Sequence, residues 1–156
     1  MMIKSYQRGQ SLFELVIAIG ISALIIVVLV SLVSNSLQNA SFAKNETLAG
    51  RLAQEATEWL RGQRDSDINT FTQSVATPFN VARCFNALVW TAIGGCSGDT
   101  IPGTPFTREI TFTSKDVVIG GDTKTIVEAE VVVSWTDSKG LHQVTNATDF
   151  ADWRQR

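Results

Sequence analysis

The sequence predicts an α+β protein in which a long N-terminal helix, membrane-spanning in its first half, packs on a small antiparallel β-sheet of three to four strands. Three observations carry this prediction. Residues 8–33 form a run of membrane length that is almost wholly aliphatic. The next 30 or so residues keep apolar side chains at helical spacings. From Phe106 onward, apolar and polar residues alternate with the period of a strand.

The apolar run comes first in the chain and dominates it. Between Leu15 and Val33 no residue is charged, and only Gly20, Ser22 and Ser31 interrupt the aliphatic side chains. About 20 such residues cross the hydrocarbon core of a bilayer as a helix. A cleaved secretory signal has a shorter apolar region, of roughly 7–15 residues, closed by a small-residue cleavage site. Here the helical pattern continues through S-N-S-L-Q-N-A-S-F-A-K-N-E-T-L instead. Glu14, just inside the leading edge, is the anomaly. A carboxylate at that depth is expensive in lipid and marks a functional-site candidate with a partner to be found.

A short basic leader precedes the run and ends in Gly9, followed by Gln10-Ser11-Leu12-Phe13-Glu14. This constellation resembles the prepilin processing site of type IV pilins and pseudopilins, with strong likeness over residues 4–60 and architectural likeness beyond. The resemblance implies a pilin-like fold. It also implies that a membrane prepilin peptidase cuts between Gly9 and Gln10 and methylates the new amine of Gln10. Gln10 stands where that family more often carries Phe. Glu14 then takes the place of the family's glutamate, fifth in the mature chain. In a filament core of packed apolar helices, a lone Glu14 would be buried without a partner. The α-amine that cleavage creates on Gln10 of an adjacent subunit could neutralise it, which would couple processing to assembly.

Charge sets the expected orientation. Lys4 and Arg8 lie before the run without any acid, so the N-terminus is expected in the cytoplasm. The complete chain has a formal charge of −2; without Lys4 and Arg8 it has −4. An acidic mature chain argues against direct nucleic-acid binding. The expected itinerary is a single-pass cytoplasmic-membrane protein before assembly and a periplasmic or extracellular filament afterwards. The partners expected are other pilin subunits, in homo- or heteropolymers, the prepilin peptidase and an inner-membrane assembly platform.

Beyond the membrane, Leu37, Ala40, Lys44 (through its stem), Leu48, Leu52, Ala56 and Trp59 recur every three or four residues and predict one apolar stripe. Glu58 and Arg61 are spaced for a weak i,i+3 pair. Gly62 is the expected helix stop. The helix from Ser11 to Arg61 would be roughly 75 Å long at 1.5 Å per residue. The predicted organisation is a leader over 1–9, a membrane and assembly helix over 10–33, its amphipathic continuation over 34–62, a connecting loop over 63–105 and the sheet over 106–156.

The connecting segment is rich in Thr, Asn, Gly, Ser and Asp, with one short strand expected at Ala87–Ala92. It holds both cysteines, Cys84 and Cys96. In an oxidising compartment two cysteines allow one pairing, closing a loop that stabilises by roughly 3 kcal/mol. Many pilins use a disulfide to pin a C-terminal loop; here the helix-to-sheet loop would be pinned.

In the sheet region, Phe106, Ile110 and Phe112 share one face of a first strand. Val127, Ala129, Val131, Val133 and Trp135 share one face of a second, opposite Glu128, Glu130 and Ser134. Gly120–Asp122 and Asp137–Gly140 are turn signals. Leu141–Phe150 predicts a third, less regular strand. The apolar face of the sheet and the stripe of the helix are each other's natural cover, with Trp59 and Trp135 at the junction.

Catalytic sets are not evident in the sequence. His142 is the single histidine, beside a turn, and no nucleophile context accompanies it. Asp116 and Asp122 lack the dense ligand spacing of a calcium loop. Asn45 and Asn146 begin glycosylation triplets, a frequent chance match. The expectation is a non-enzymatic structural subunit of a type IV pilus or pseudopilus, without a cofactor. The alternatives are a minor or tip subunit that acts in adhesion or priming, and a signal-anchored surface protein that never polymerises.

Overall fold

The computed structural model describes residues 12–76, 79–91, 93–119 and 121–151. Helix α1 runs Leu12–Ser66, α2 Ile68–Val75, and four strands follow: β1 Ala82–Cys84, β2 Thr107–Ile119, β3 Asp122–Asp137 and β4 Gly140–Phe150. The chain forms two compact units that divide between Ala43 and Lys44. The described part of the first is a stretch of α1, Leu12 to Ala43. The second carries the remainder of α1, packed on a four-stranded antiparallel sheet in the order β1-β2-β3-β4. The α+β architecture predicted from periodicity is the one formed.

In the second unit α1 buries Ala49, Ala53, Ala56, Thr57 and Leu60. This differs from the predicted stripe. Ala56 is buried, and Leu48, Leu52 and Trp59 are half-covered, but Leu37, Ala40 and Lys44 are exposed. The covered face is centred on alanines because a helix lies closest to a sheet where its side chains are shortest. The larger Leu48, Leu52 and Trp59 flank that seam. Gly62 does not end the helix, which continues to Ser66. The break comes at Asp67, whose extended backbone (φ −154°, ψ 102°) leaves the helix while its carboxylate accepts from the N–H groups of Asn69 and Thr70. Asp67 thus starts α2 as its N-cap, and the stronger capping signal overrides the glycine.

The segment predicted as loop contains α2 and β1. The short strand lies at Ala82–Cys84, not in the 87–92 stretch, where Ala87–Val89 form bends and Trp90 and Thr91 are irregular. Arg83, on the inner face and almost wholly buried, donates to the last carbonyls of α2 at Ser74 (2.5 Å) and Val75 (3.3 Å) and lies 5.3 Å from the Phe112 ring centre. A cation at a helix C-terminus meets the carbonyls the helix leaves unpaired. Burial lowers the Arg83 pKa from the usual guanidinium value.

The sheet follows the predicted alternation. Phe106, Ile110 and Phe112 of the β2 region and Ala129, Val131, Val133 and Trp135 of β3 are buried. Val127 is only half-covered. β4 is regular rather than irregular: its odd-numbered residues are exposed, while His142, Val144, Asn146, Thr148 and Phe150 turn inward. Trp135 packs on Phe106, whereas Trp59 lies against Phe85 and Trp90, so the two tryptophans serve different parts of the core. Trp90, from the connecting segment, also meets Phe71 and Phe112.

The inner-face parity of β2 also places Arg108 in the core at 2% exposure. Its Nε donates to Phe85 O (2.8 Å), Nη1 to Leu52 O and Glu55 Oε2 (both 2.9 Å), and Nη2 to Asn86 O (3.4 Å). One side chain therefore ties β2 to α1 and to the connecting segment. Arg108→Ala should lower the unfolding free energy of the full chain in detergent by about 2–4 kcal/mol, because buried carbonyls lose their donors. Glu55 is half exposed, so Glu55→Ala should cost about 0–1 kcal/mol. Urea unfolding followed by tryptophan fluorescence measures both; equal losses would show that the ion pair, not the carbonyl contacts, holds the junction.

Candidate functional site

Gly9 and Gln10, the predicted processing pair, lie outside the described residues. Glu14 stands in the first described turn of α1 and is the sole ionisable residue from Leu12 to Ala43. Every residue from Leu12 to Ser41 is exposed, including Leu24 at 70% and Val27 at 63%. A helix apolar on all sides is at home in lipid or among other apolar helices. Ser22 does not disturb this, since its hydroxyl donates to Ala18 O at 2.7 Å and closes its own hydrogen bond within the helix. Among the described residues one helix, α1, is long and apolar enough to cross a membrane.

In the second unit, Cys84 and Cys96 form a disulfide with a Cα–Cα distance of 4.6 Å. It joins the end of β1 to a segment already held beside that strand. Cys84 N–H donates to Gly94 O (2.9 Å), and Gly94 N–H donates to Ala82 O (3.2 Å). Glu109, opposite Cys84 on β2, accepts from Cys96 N–H at 2.8 Å. A Cβ at Gly95 would lie 2.8 Å from Glu109 Oε1, so a larger residue there would displace that carboxylate.

Beside the other end of the sheet, α1 and β4 bound an open polar groove of about 330 Å³ lined by Gln54, Thr57, Glu58, Arg61, Asn146 and Thr148. The predicted Glu58–Arg61 pair forms here at 2.5 Å. Asn146 points into the groove and donates through Nδ2 to Thr57 Oγ1 (3.3 Å), so its amide is engaged within the fold. This groove was not foreseen, because its residues are ordinary surface types separated by some 85 positions. The inward parity of Asn146 on β4 was its only trace in the sequence.

His142 lies on the inner face of β4, its ring centre 5.3 Å from that of Trp135 and its Nε2 2.9 Å from Asp137 Oδ1. Asp137 also accepts from Lys139 N–H across the turn at 2.7 Å. That backbone bond, and then the His142 ring, hold Asp137 below the usual aspartate pKa. Asp116 accepts from the Thr125 hydroxyl (2.7 Å), and Asp122 opens β3 opposite Ile119. Among the described residues no group of three or more His, Cys, Asp or Glu side chains is placed to hold a metal ion. No family model, curated protein or solved structure matches the chain.

A lowered carboxylate pKa contributes stability that is complete above the unfolded aspartate value of about 4 and is lost as pH falls through the folded value. Asp137→Asn should therefore lower the melting temperature at pH 7, and the difference from wild type should close below pH 4. A constant offset from pH 7 to pH 3 would show that shape rather than charge holds the turn.

Proposed function

We propose that this chain is a structural subunit of a type IV pilus-like or pseudopilus-like filament. It enters the membrane as a prepilin, is cleaved after Gly9 and polymerises through its N-terminal helix. The observation that carries the proposal is Glu14: one carboxylate on a helix otherwise free of ionisable groups through Ala43, five residues after Gly9 in the sequence. No hydrogen bond or ion pair within the described chain engages it, which suits a side chain whose partner belongs to another molecule. The uncovered apolar surface from Leu12 to Val33 suits a helix that moves from lipid into a bundle of its own kind. The compact second unit, closed by a disulfide, suits a cell-surface or periplasmic setting.

In this mechanism the prepilin peptidase frees the amine of Gln10, and that amine pairs with Glu14 of the neighbouring subunit as it docks. The chain acts by assembling, without catalysis or a cofactor. The intact mass and N-terminal sequence of protein recovered from cells provide the first test. A chain beginning at Gln10 is expected; one beginning at Met1, in cells with active prepilin peptidase, would overturn the assignment. Glu14→Ala should preserve membrane insertion and cleavage while reducing filament incorporation at least about tenfold, the effect of some 1.4 kcal/mol. Wild-type assembly of that variant would eliminate the charge pairing.

A further inference from the structure

The sheet ends at β4, and that edge is open. Phe85 N–H donates to Arg108 O and Asn80 N–H to Phe112 O, so the even-numbered residues of β2 turn their backbone groups away from β3. Carried through the two registers, this alternation turns the backbone groups of Gln143, Thr145, Ala147 and Asp149 toward the free side of β4. Among the described residues no backbone bond from outside the ladder reaches that row. β4 has no lysine, proline or bulge to blunt it. Side chains beside the edge are uncommitted as well. On the outer face Lys115 is bonded to Glu128, while Asp149, opposite Glu128, and Glu130, opposite Ala147, form no ion pair among the described residues. On the inner face lies the polar groove between α1 and β4. Thr57 is engaged there, its hydroxyl donating to Ala53 O and accepting from Asn146. Asn146 Oδ1 and the Thr148 hydroxyl line the groove, both residues half-exposed, without a hydrogen bond to another described residue.

We infer that the β4 edge takes up an extended cationic peptide segment of another protein as an antiparallel fifth strand. Its main chain meets the free backbone row, and its side chains alternate between the outer face and the groove. The unpaired groups define the sequence that fits. A lysine or arginine belongs opposite Asp149, and a second one opposite Ala147, whose small side chain leaves the way open to Glu130. Short hydroxyl or amide side chains belong opposite Asn146 and Thr148, where they meet the acceptor and hydroxyl left over in the groove. A second copy of this chain fits less well. Thr57 lies beside Asn146 and Arg64 over Phe150, so α1 runs in the direction of β4, and β2 runs that way too. A copy added antiparallel therefore has its α1 reversed, which does not suit copies polymerised side by side through that helix. A copy added in parallel brings its β1 and Asn80, which occupy the outer side of β2 from Glu109 to Phe112, against the edge. The exclusion of a second copy rests on the filament reading; the open edge and its charges do not.

Fluorescence anisotropy of a labelled peptide, Lys-Thr-Lys-Asn-Thr-Val-Thr, with the full chain in detergent tests the site. Its first residue is matched to Asp149 and its last to Gln143. Binding with a Kd below about 1 mM is expected. A methyl group on the backbone nitrogen of the fifth residue, which faces Thr145, should weaken binding at least about tenfold. The same group on the fourth residue, whose N–H points away from β4, should leave it unchanged. Thr145→Pro removes one outward N–H while sparing the β3–β4 ladder and should weaken binding by the same factor. Should that variant fail to fold, the two methylated peptides still decide. Asp149→Asn should also weaken binding, by a factor that shrinks in high salt. No binding up to about 1 mM, or equal effects of the two methyl groups, overturns the inference. So does a disulfide-linked dimer of Thr145→Cys, formed in the membranes of producing cells and not suppressed by excess peptide, because a second copy would then hold the edge. Peptide binding by a chain that still begins at Met1, from cells with active prepilin peptidase, leaves the site standing and overturns the filament reading.

Discussion

The second unit depends on one buried guanidinium. Position 108 falls between Phe106 and Ile110 on the inner face of β2, where an aliphatic side chain would satisfy the core but leave the connecting segment without an anchor. Placing a charged group there costs several kcal/mol in lost hydration. A planar fork with five N–H donors can offset that cost only if acceptors surround it. They do, and they come from two places: α1, through the Leu52 carbonyl and the Glu55 carboxylate, and the connecting segment, through the carbonyls of Phe85 and Asn86. Asn86 is held in turn, accepting from Arg108 N–H and donating to Asp99 O. A lysine could not reproduce this, because its three donors radiate from one atom.

Around that anchor, the residues between α1 and β2 are ordered by contacts rather than by regular structure. Trp90 meets Trp59, Phe71, Phe85 and Phe112 with ring centres 5.2–6.2 Å apart. Such pairs contribute roughly 0.5–1.5 kcal/mol each beyond the area they bury. Its indole N–H reaches Gln63 of α1 at 3.3 Å. Phe150, at the end of β4, closes the group against Phe71 and Arg64. The aromatic side chains therefore join the connecting segment to both ends of the fold in sequence: the last turns of α1 and the final strand.

The sequence exposes this architecture where a pattern repeats and conceals it where one residue decides. The charge-free run and the alternation of Val131, Val133 and Trp135 extend over many positions, so helix and strands were legible. Gly62 carried a stop signal, but a helix ends at a glycine only when the backbone there turns left-handed, and the Asp67 cap offered a better place five residues beyond the predicted end at Gly62. β1 is three residues long, A-R-C, with no alternation to read; tertiary pairing with β2 makes it a strand. The apolar 87–92 stretch resembled a strand because Val89 and Trp90 favour one, yet Trp90 is used as a plug. Arg108 sat at a visible inward position without any sign of its acceptors, which lie 22 or more positions away. Of the sites described, the cysteine pair was legible in the sequence, whereas the polar groove arises only once β4 lies beside α1.

The disulfide also governs how far the second unit can stretch. If the chain is pulled from its two ends, hydrogen bonds between β1 and its neighbours can part, but the twelve-residue span between Cys84 and Cys96 cannot lengthen. Fully extended, that span would add roughly 40 Å of contour at about 3.5 Å per residue. The bond withholds this slack, so a load is passed directly from the α2 side of the unit to β2. Under tension the second unit behaves as a shorter and stiffer element than its residue count suggests, and reduction alone would turn it into a longer one.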